Sequence, residues 1–247
     1  MGEPTLANRF YCASLPDPRL SDGAARLDRN QAHHARRVLR LRVGDTVELF
    51  DGRGRIGRGV IESWTDGAVV QLSDVQQVEP LRPTIDLAAP IPKGPRADDM
   101  VNQLSQLGVD RFIPLQTQRS VVTPGRRKLD KFTRAAIESA KQSRRPFVMA
   151  VSPPTTLDQA LRLGHDLTLM AAPNGDTITD LAATLRGANR VLILIGPEGG
   201  WTDEEVDAAR RADCVTWSVA ANVLRIETAA VAAAAVARYL TGWPTRD

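Results

Sequence analysis

A glycine-rich segment with one carboxylate follows an apolar run near the end of the chain. Residues 191–195 read Val-Leu-Ile-Leu-Ile, which is typical of a strand buried on both faces of a parallel sheet. Gly196, Pro197, Glu198, Gly199 and Gly200 come next. Glycine permits positive φ angles and close approach of a ligand to the backbone, and proline stiffens the turn. This pattern predicts either a ligand-binding loop or a tight strand-to-helix turn.

The residues after this loop favour a helix start but no known phosphate-binding motif. Thr202 and Glu205 have the spacing of a capping box. A purely structural turn would have the same cap, so the cap does not choose between the two readings. The dinucleotide pattern G-x-G-x-x-G is absent, and no Gly-Lys-Ser/Thr follows, which makes both phosphate-cradling interpretations weak.

Two further segments follow predicted strands. Residues 172–176 come after an apolar run that begins at Leu167, and residues 220–228 come after the predicted strand 214–219. The latter segment places Arg225 and Glu227 among apolar side chains, where they either pair with each other or flank a ligand and a reacting base. Thr228 is expected to cap the last helix. Because ligands bind at the carboxyl ends of strands in open α/β sheets, we expect the three segments to form one crevice.

Strands and helices that position these segments alternate from residue 84 onward. This alternation predicts an α/β domain with an open, mostly parallel sheet, within a chain that is α+β overall. The predicted strands are residues 85–89, 111–114, 167–172, 191–195 and 214–219, and the predicted helices are residues 96–107, 129–141, 156–163, 177–185, 203–212 and 227–240.

The first 80 residues have a different pattern. Asp28 is placed to cap a short helix, and residues 46–50, 55–62 and 68–72 read as strands. The turns between these strands fall at Asp51-Gly52 and Asp66-Gly67. Pro80 and Pro83 mark a stiff linker. We therefore predict a small β-rich domain over residues 1–80 and the α/β domain over residues 81–247.

Charge distribution and cysteine spacing limit the classes of protein to which the chain can belong. The 247 residues carry a net charge of +3. Basic residues concentrate in residues 26–42 and 119–145, which are either solvated helix faces or two phosphate-binding surfaces. Cys12 and Cys214 have no metal-ligand spacing, so no metal is expected. With no signal peptide and no apolar stretch long enough to span a bilayer, a cytoplasmic protein is expected.

The 195–200 motif joined to residues 223–229 resembles the paired motifs of SPOUT-class RNA methyltransferases. Within that class the chain is most similar to the ribosomal RNA small subunit methyltransferase E family, which methylates N3 of a uridine in 16S ribosomal RNA. The likeness covers nearly the whole chain, and its further motifs are residues 9–11, residues 34–40, Gly44-Asp45, residues 50–52, residues 107–109 with Pro114, Arg119-Ser120, and Gln142-Ser143 with Arg145.

The resemblance implies a fold, a cofactor and partners. It implies an N-terminal PUA-like β-barrel domain that binds RNA and a C-terminal SPOUT α/β domain with a trefoil knot. The cofactor would be S-adenosyl-L-methionine, and the partners would be 16S ribosomal RNA, the small ribosomal subunit and a second copy in a homodimer. The family's target is uracil 1498, a modification made in ribosome biogenesis.

Site residues follow from the same resemblance and from the chemistry of uracil. The predicted cofactor-binding residues are Ala171, Ala172, Pro173, Ile195, Gly196, Pro197, Glu198, Gly199, Gly200, Val219, Ala220, Asn222, Val223, Leu224, Ile226 and Thr228. The predicted RNA-binding residues are Arg9, Arg36, Arg37, Arg40, Lys93, Arg119 and Arg145. Trp201 is expected to pack in the domain more readily than to stack on a base.

Uracil N3 becomes nucleophilic only as its proton leaves. Arg225 is the candidate cation for charge that develops on the uracil carbonyl oxygens. Glu198 or Glu227 would accept the proton, and the sequence does not choose between them. Glu198 has the alternative of a structural carboxylate bonded to its own loop.

The chain departs from the family at four positions. Gln103 and Gln106 stand where the family has Lys and Glu, and Ala220 and Asn222 stand where it often has Gly and Arg. These differences concern RNA contacts and cofactor affinity. Two other functions remain open from sequence: a non-catalytic RNA-binding or ribosome-assembly factor on the same scaffold, and an enzyme of small-molecule chemistry with a nucleotide-like cofactor.

Overall fold

The structure, a computed structural model, describes residues 7–19 and 21–242. The chain divides into two compact units. The N-terminal unit comprises residues 1–80 and 140–148, and the C-terminal unit comprises residues 81–139 and 149–247. The predicted division at residue 80 did not anticipate that residues 140–148 cluster with the N-terminal unit.

The N-terminal unit is built on a curled sheet. Its elements are β1 (Asn8–Tyr11), β2 (Ala24–Leu27), α1 (Arg29–His33), a π-helix (His34–Val38), β3 (Thr46–Phe50), β4 (Arg55–Ser63) and β5 (Ala68–Gln77). In the described residues the strand order is β1-β3-β4-β5-β2, with β1 parallel to β3 and the other pairs antiparallel. Phe10, Val47, Leu49, Ile61 and Val70 are fully buried in its core.

Local chemistry explains the turns of this unit. Asp66 and Gly67 both have positive φ, 52° and 118°, which suits the second half of the four-residue hairpin loop 64–67 between β4 and β5. The Asp51 carboxylate accepts hydrogen bonds from the backbone N–H groups of Arg53 and Arg55, at 2.7 and 3.0 Å, and so closes the turn before β4. Asp28 caps α1 by accepting from the N–H of Gln31 over 2.8 Å. The predicted turns and cap are confirmed.

The C-terminal unit alternates strands and helices. Its elements are β6 (Thr84–Ala89), α2 (Arg96–Gln106), β7 (Arg111–Gln116), α3 (Arg126–Gln142), β8 (Ala150–Val151), β9 (Thr155–Thr156), α4 (Leu157–Leu161), β10 (Leu167–Asp176), α5 (Ile178–Gly187), β11 (Arg190–Leu194), α6 (Asp203–Arg211), β12 (Val215–Trp217) and α7 (Ile226–Thr241). The last three residues of α3 cluster with the N-terminal unit.

A parallel sheet forms the centre of this unit. Its strand order is β12-β10-β11-β6-β7-β8, and β9 also pairs with β7. Each pairing is parallel. Val191, Leu192, Ile193 and Leu194 of β11 have no exposed surface, because helices cover both faces of a parallel sheet. The α/β prediction is confirmed, and the carboxyl ends of β10, β11 and β12 lie at one edge.

Two local predictions in this unit are wrong. The predicted loop 172–176 is the irregular end of β10, whose register with β12 shifts between Ala171 and Asp176. Gly175 fits there because a Cβ at its position would clash with the backbone nitrogen of Trp217. Helix α7 begins one residue earlier than predicted, with Arg225 at its N-cap, so Thr228 lies inside the first turn and does not cap it.

Within residues 7–19 and 21–242, none of the helices combines the length and the apolar character needed to cross a bilayer.

Candidate active site

The three segments after β10, β11 and β12 line one cavity of about 200 Å³. The cavity exists because neighbouring parallel strands deliver their following segments to the same edge of the sheet. The expectation that the three segments share one crevice agrees with this arrangement. Its lining residues are Ala171, Ala172, Pro173, Gly196, Pro197, Glu198, Gly200, Trp201, Val219, Ala220, Ala221, Asn222, Val223, Leu224 and Ile226.

Three residues assigned to the cofactor from sequence lie outside this lining. Ile195 is buried in the sheet, and Gly199 faces Arg119, whose Cδ would lie 3.1 Å from a Cβ at Gly199. Thr228 lines a different hollow between α2 and α7. Sequence reasoning missed Ala221, which has the same type as the neighbouring Ala220 and so offers no signal of its own, and favoured packing over base stacking for Trp201.

Aliphatic side chains and free backbone groups dominate the cavity. Among the described residues, no group of the chain accepts a hydrogen bond from the backbone N–H groups of residues 219–224. Val223 projects its side chain into solvent at 89% exposure, although it is fully apolar. Apolar walls with a few convergent polar groups are typical of sites for flat, polar-edged organic ligands. The cavity therefore fits a nucleoside better than a metal ion.

Metal binding has no support in the part of the chain that the structure describes. No group of three or more His, Cys, Asp or Glu side chains is placed to hold a metal ion there. Cys12 is buried and Cys214 is half-buried. Burial raises the pKa of the Cys214 thiol to about 12, which keeps it protonated at neutral pH.

Trp201 joins two walls of the cavity. Its indole N–H donates to the carbonyl oxygen of Ala171 over 2.9 Å. A Cβ at Gly196 would lie 3.0 Å from the indole ring, so the ring packs directly on that glycine. Trp201 also packs against the core of the C-terminal unit. It therefore serves both packing and the cavity wall.

The capping box predicted at Thr202 is confirmed and has an additional partner. The Thr202 side chain accepts from the N–H of Glu205 at 3.3 Å, and Oε2 of Glu205 accepts from the N–H of Thr202 at 3.0 Å. The other carboxylate oxygen, Oε1, accepts from the N–H of Gln118 at 2.9 Å. Helix α6 thus starts from a buried carboxylate that also holds the segment after β7.

The two candidate proton acceptors have different surroundings. Glu227 pairs with Arg96 at 3.4 Å and lines the hollow between α2 and α7 rather than the cavity. Glu198 lines the cavity, and within the described residues it forms no hydrogen bond or ion pair. The structure therefore does not favour Glu227 as a residue of this cavity, and the alternative that Glu198 bonds to its own loop finds no support.

Arg225 lies at the junction of the cavity and α7. Its backbone is extended, and its carbonyl accepts the first helical hydrogen bond, from Ala229, over 2.8 Å. The side chain is exposed and pairs with no described residue. Leu224 and Ile226 on either side both line the cavity. The guanidinium is consequently accessible from solvent, on a residue that lies between two lining residues in the chain.

Arg9 is not available for RNA in the way the sequence suggested. It is 8% exposed and lies 3.4 Å from Glu48, with its guanidinium 4.4 Å from the ring centre of Phe50. Desolvation lowers the pKa of Arg9 to about 10, although Glu48 opposes the shift. The guanidinium also donates to the carbonyl of Arg145. Because these contacts bury the charge inside the unit, we remove Arg9 from the set of RNA-binding candidates.

The other basic candidates retain surface exposure to different degrees. Arg36, Arg37 and Arg40 are exposed on and after the π-helix, with Arg36 stacked 5.7 Å from the ring centre of Trp64. Lys93 is exposed after β6, and Arg145 is half-buried. Arg119 is exposed, but its Nη1 donates to the carbonyl of Gly199 over 2.6 Å.

Sequence comparisons match the chain to RNA methyltransferases. The family model described as RNA methyltransferase domain matches residues 79–238, and the one described as RNA methyltransferase PUA domain matches residues 27–70. A ribosomal RNA small subunit methyltransferase E of Synechocystis is 30% identical over 210 residues, with 83% of this chain and 69% of the relative covered. The protein of that name from Mycobacterium bovis is 29% identical and covers 96% of this chain and 93% of the relative.

Solved structures give the same result. A methyltransferase from Legionella pneumophila, in complex with SAM, matches with a TM-score of 0.82 at 28% identity, covering 94% of this chain and 96% of that chain. The ribosomal RNA small subunit methyltransferase E of Neisseria gonorrhoeae, bound to S-adenosyl methionine, matches with a TM-score of 0.81 at 26% identity, covering 93% and 95%.

Fold, cavity and matches together define an RNA methyltransferase of the SPOUT class that carries a PUA domain. Within this class the chain belongs to the ribosomal RNA small subunit methyltransferase E family. The resemblance seen in the sequence motifs is confirmed.

Proposed function

We propose that this chain methylates N3 of a uridine in the 16S RNA of the small ribosomal subunit, with S-adenosyl-L-methionine as the methyl donor. The observation that carries the proposal is the convergence of the three segments after β10, β11 and β12 into one apolar cavity with free backbone N–H groups. Membership of the methyltransferase E family and relatives solved with the bound cofactor support it.

The residues present fit this cofactor. Aliphatic side chains of Val223, Leu224 and Ile226 offer surfaces for the adenine ring, and the N–H groups of residues 219–224 offer donors to its edge. Gly196 and Gly200 place no side chain of their own in the second wall, which leaves room beside Glu198 and Trp201. When bound, the cofactor supplies a methyl group already activated by a sulfonium centre. The chain's own task is to align uracil N3 with it and to manage the N3 proton.

Arg225 and Glu198 are the proposed catalytic residues. The guanidinium of Arg225, which pairs with none of the residues that the structure describes, would stabilise negative charge on the uracil carbonyl oxygens as the N3–H bond breaks. Glu198 would accept the N3 proton, directly or through water, because it is the carboxylate that lines the cavity. Glu227 is assigned to the ion pair with Arg96 instead.

N3 lies on the Watson–Crick edge, so the target base must be unpaired or extruded. Exposed arginines of the N-terminal unit, Arg36, Arg37 and Arg40, would contact phosphates and give salt-dependent affinity. Lys93 and Arg145 would contribute in the same way. We also propose that the family's trefoil knot and homodimer apply to this chain and that it acts in the cytoplasm, where its substrate is assembled.

Methylation of small subunits tests the proposal. Subunits from cells that lack the modification would be incubated with the protein and isotopically labelled cofactor, and the RNA digested and analysed by mass spectrometry. We expect 3-methyluridine at one position, which the family places at uracil 1498. A methyl group on another atom, or none, contradicts the proposed reaction.

Calorimetry with the cofactor separates the enzyme from a binding factor on the same scaffold. We expect saturable binding of S-adenosyl-L-methionine without RNA. Absence of heat at millimolar cofactor, together with retained RNA binding, would identify an assembly factor. Deleting residues 1–80 is a poor test, because residues 140–148 belong to the same unit and would lose their partners. The N–H of Val148 donates to the carbonyl of Gly52, and the N–H of Gly54 donates to the carbonyl of Pro146.

A further inference from the structure

The segment between β7 and α3 is fastened to the outside of the cavity wall. Nη1 of Arg119 donates to the carbonyl oxygen of Gly199 over 2.6 Å and lies 3.4 Å from the carbonyl oxygen of Trp201. Those two carbonyls flank Gly200, and Gly200 and Trp201 line the cavity. One guanidinium therefore holds the backbone on both sides of a lining glycine.

A second link lies one residue away. The N–H of Gln118 donates to Oε1 of Glu205, whose Oε2 caps α6 through Thr202. A capping box uses one oxygen of its carboxylate. Glu205 uses both of its carboxylate oxygens, and the residue is only 6% exposed. The bond from Gln118 to Oε1 therefore connects the segment after β7 to the start of α6, which directly follows the 196–201 wall.

These links act on a segment that has few restraints of its own. Residues 196–200 contain three glycines, and Gly200 has a φ of 72°. Glycine loses more backbone freedom on ordering than any other residue. Within this segment the described backbone hydrogen bond is that from Gly200 to Pro197, at 2.9 Å. A wall held in place before the ligand arrives costs less to order on binding.

We propose that Arg119 and Glu205 are positioning residues that hold the 196–201 wall in its ligand-accepting geometry. The identity of the ligand rests on the proposed function. Arg119 was predicted from sequence to bind RNA phosphate. In the structure its Nη1 donates to carbonyls of the cavity wall, so we expect loss of the Arg119 side chain to affect the cofactor site before it affects RNA binding. The segment after β7 then shapes this site from outside.

Three substitutions separate this role from phosphate binding. Arg119→Met removes the donors and keeps the aliphatic length. Arg119→Lys keeps the charge, but its side chain is shorter and lacks the planar guanidinium whose Nη1 contacts both carbonyls. Arg211→Met, at the far end of α6, is the matched control because Arg211 is exposed and outside the cavity and the basic segments.

Hydrogen exchange on the ligand-free protein gives the first readout. In Arg119→Met we expect the peptide covering residues 196–201 to exchange about tenfold faster, the effect of losing one charge-assisted hydrogen bond, while peptides from β6 and β11 are unchanged. Arg119→Lys should fall between the wild type and Arg119→Met. Exchange identical to wild type in both variants would overturn the proposal.

Kinetics give the second readout. For Arg119→Met we expect KM for the cofactor to rise about tenfold with kcat at saturation within about twofold, because a held wall contributes equally to ground and transition states. Arg211→Met should leave both constants unchanged. Loss of RNA affinity with an unchanged KM for the cofactor would make Arg119 a phosphate contact and overturn the proposal.

Glu205 is tested against its own cap. Glu205→Gln keeps the size but offers one acceptor oxygen to two N–H donors, whereas Thr202→Ala weakens the cap and leaves the bond from Gln118 to Glu205. We expect Glu205→Gln to raise the cofactor KM at least about threefold more than Thr202→Ala does. Equal effects would remove Glu205 from the proposal. If the wild type binds no cofactor, the proposed function fails, and the exchange experiment still decides the role of the links.

Discussion

Trp201 and Ala171 form the direct connection between two walls of the cavity. The indole N–H of Trp201 donates to the Ala171 carbonyl over 2.9 Å, and the indole ring packs on Gly196. This contact joins the segment after β11 to the end of β10 without using a charged group. Any side chain at position 196 must displace a ring that is already fixed by a hydrogen bond.

Gly196→Ala therefore tests the cavity more sharply than a change at Gly199. A methyl group at position 196 would lie 3.0 Å from the Trp201 ring, so the ring must shift and the Ala171 contact weaken. We expect the cofactor dissociation constant, measured by calorimetry, to rise about tenfold, equivalent to about 1.4 kcal/mol. The control is Gly187→Ala at the end of α5, where no atom lies within 4 Å of the new methyl group. Equal affinity in both variants would exclude Gly196 from the site.

The sequence was sufficient to predict the architecture of the C-terminal unit. The apolar run 191–195 and the capping box at Thr202 are both local sequence patterns. In the structure the run is a buried strand and the capping box starts α6, as the patterns predict. The convergence of the three segments follows from the parallel sheet. Thirteen of the predicted cofactor residues line the cavity because that topology leaves few other positions for them.

What the sequence missed depends on contacts between distant residues. The end of β10 continues past Ala171 because Trp217 approaches Gly175 closely, and no pattern within residues 172–176 reveals that. From sequence, Arg9 is expected to be a basic surface residue, because its contacts with the distant Glu48 and Phe50 form only in the folded chain. Arg96 and Glu227 are 131 positions apart, so their pairing is invisible to spacing.

Arg238, a buried charged residue of α7, is expected to contribute strongly to the stability of the C-terminal unit. Its side chain is 1% exposed and donates to the carbonyls of Gly108 and Pro83, at 3.1 and 2.6 Å, and to Asp110 at 2.7 Å. Arg238→Met removes the buried cation that joins these three acceptors, although Asp110 keeps its bond from the N–H of Ile85. We expect the free energy of unfolding, from urea titration, to fall by about 3–5 kcal/mol.

The control for that experiment is Arg186→Met. Arg186 is exposed, and its contact with the carbonyl of Leu240 is 3.4 Å long. Its loss should change the free energy of unfolding by less than about 0.5 kcal/mol. A loss for Arg238→Met no larger than for Arg186→Met would contradict the assigned role of the buried guanidinium.

Arg36 and Arg37 are expected to bind RNA phosphates. Replacing both with Met should reduce the slope of log affinity against log salt by about 1.4 to 1.8, since each phosphate contact releases counterions. Cofactor affinity should not change. Fluorescence anisotropy with a labelled RNA of the target region, repeated at several salt concentrations, measures the slope. Arg19→Met is the control, because Arg19 is exposed in the same unit but paired with Asp17 at 3.0 Å. An unchanged slope in the double variant would exclude both arginines from the RNA contact.

Arg225→Ala should slow methyl transfer about 10²–10³-fold, the range for removing one stabilising donor at a site of developing charge. Because the side chain is exposed and lies outside the cavity lining, cofactor affinity should fall only modestly. Single-turnover rates with saturating RNA and calorimetry of cofactor binding measure the two effects. Arg225→Lys should recover part of the rate through its retained charge. A rate equal to wild type in Arg225→Ala rejects the assigned role.

Glu198 and Glu227 are predicted to differ sharply when each is replaced with Gln. Glu198→Gln removes the carboxylate that lines the cavity, and we expect the single-turnover rate to fall about 100-fold near neutral pH. The deficit should shrink as pH rises, because hydroxide then removes the N3 proton that Glu198 no longer accepts. Glu227→Gln weakens an ion pair with the half-exposed Arg96, which costs about 0–1 kcal/mol of stability. Its rate should stay within about threefold of wild type at every pH. The reverse order of effects would move the proton acceptor from the cavity to the first turn of α7.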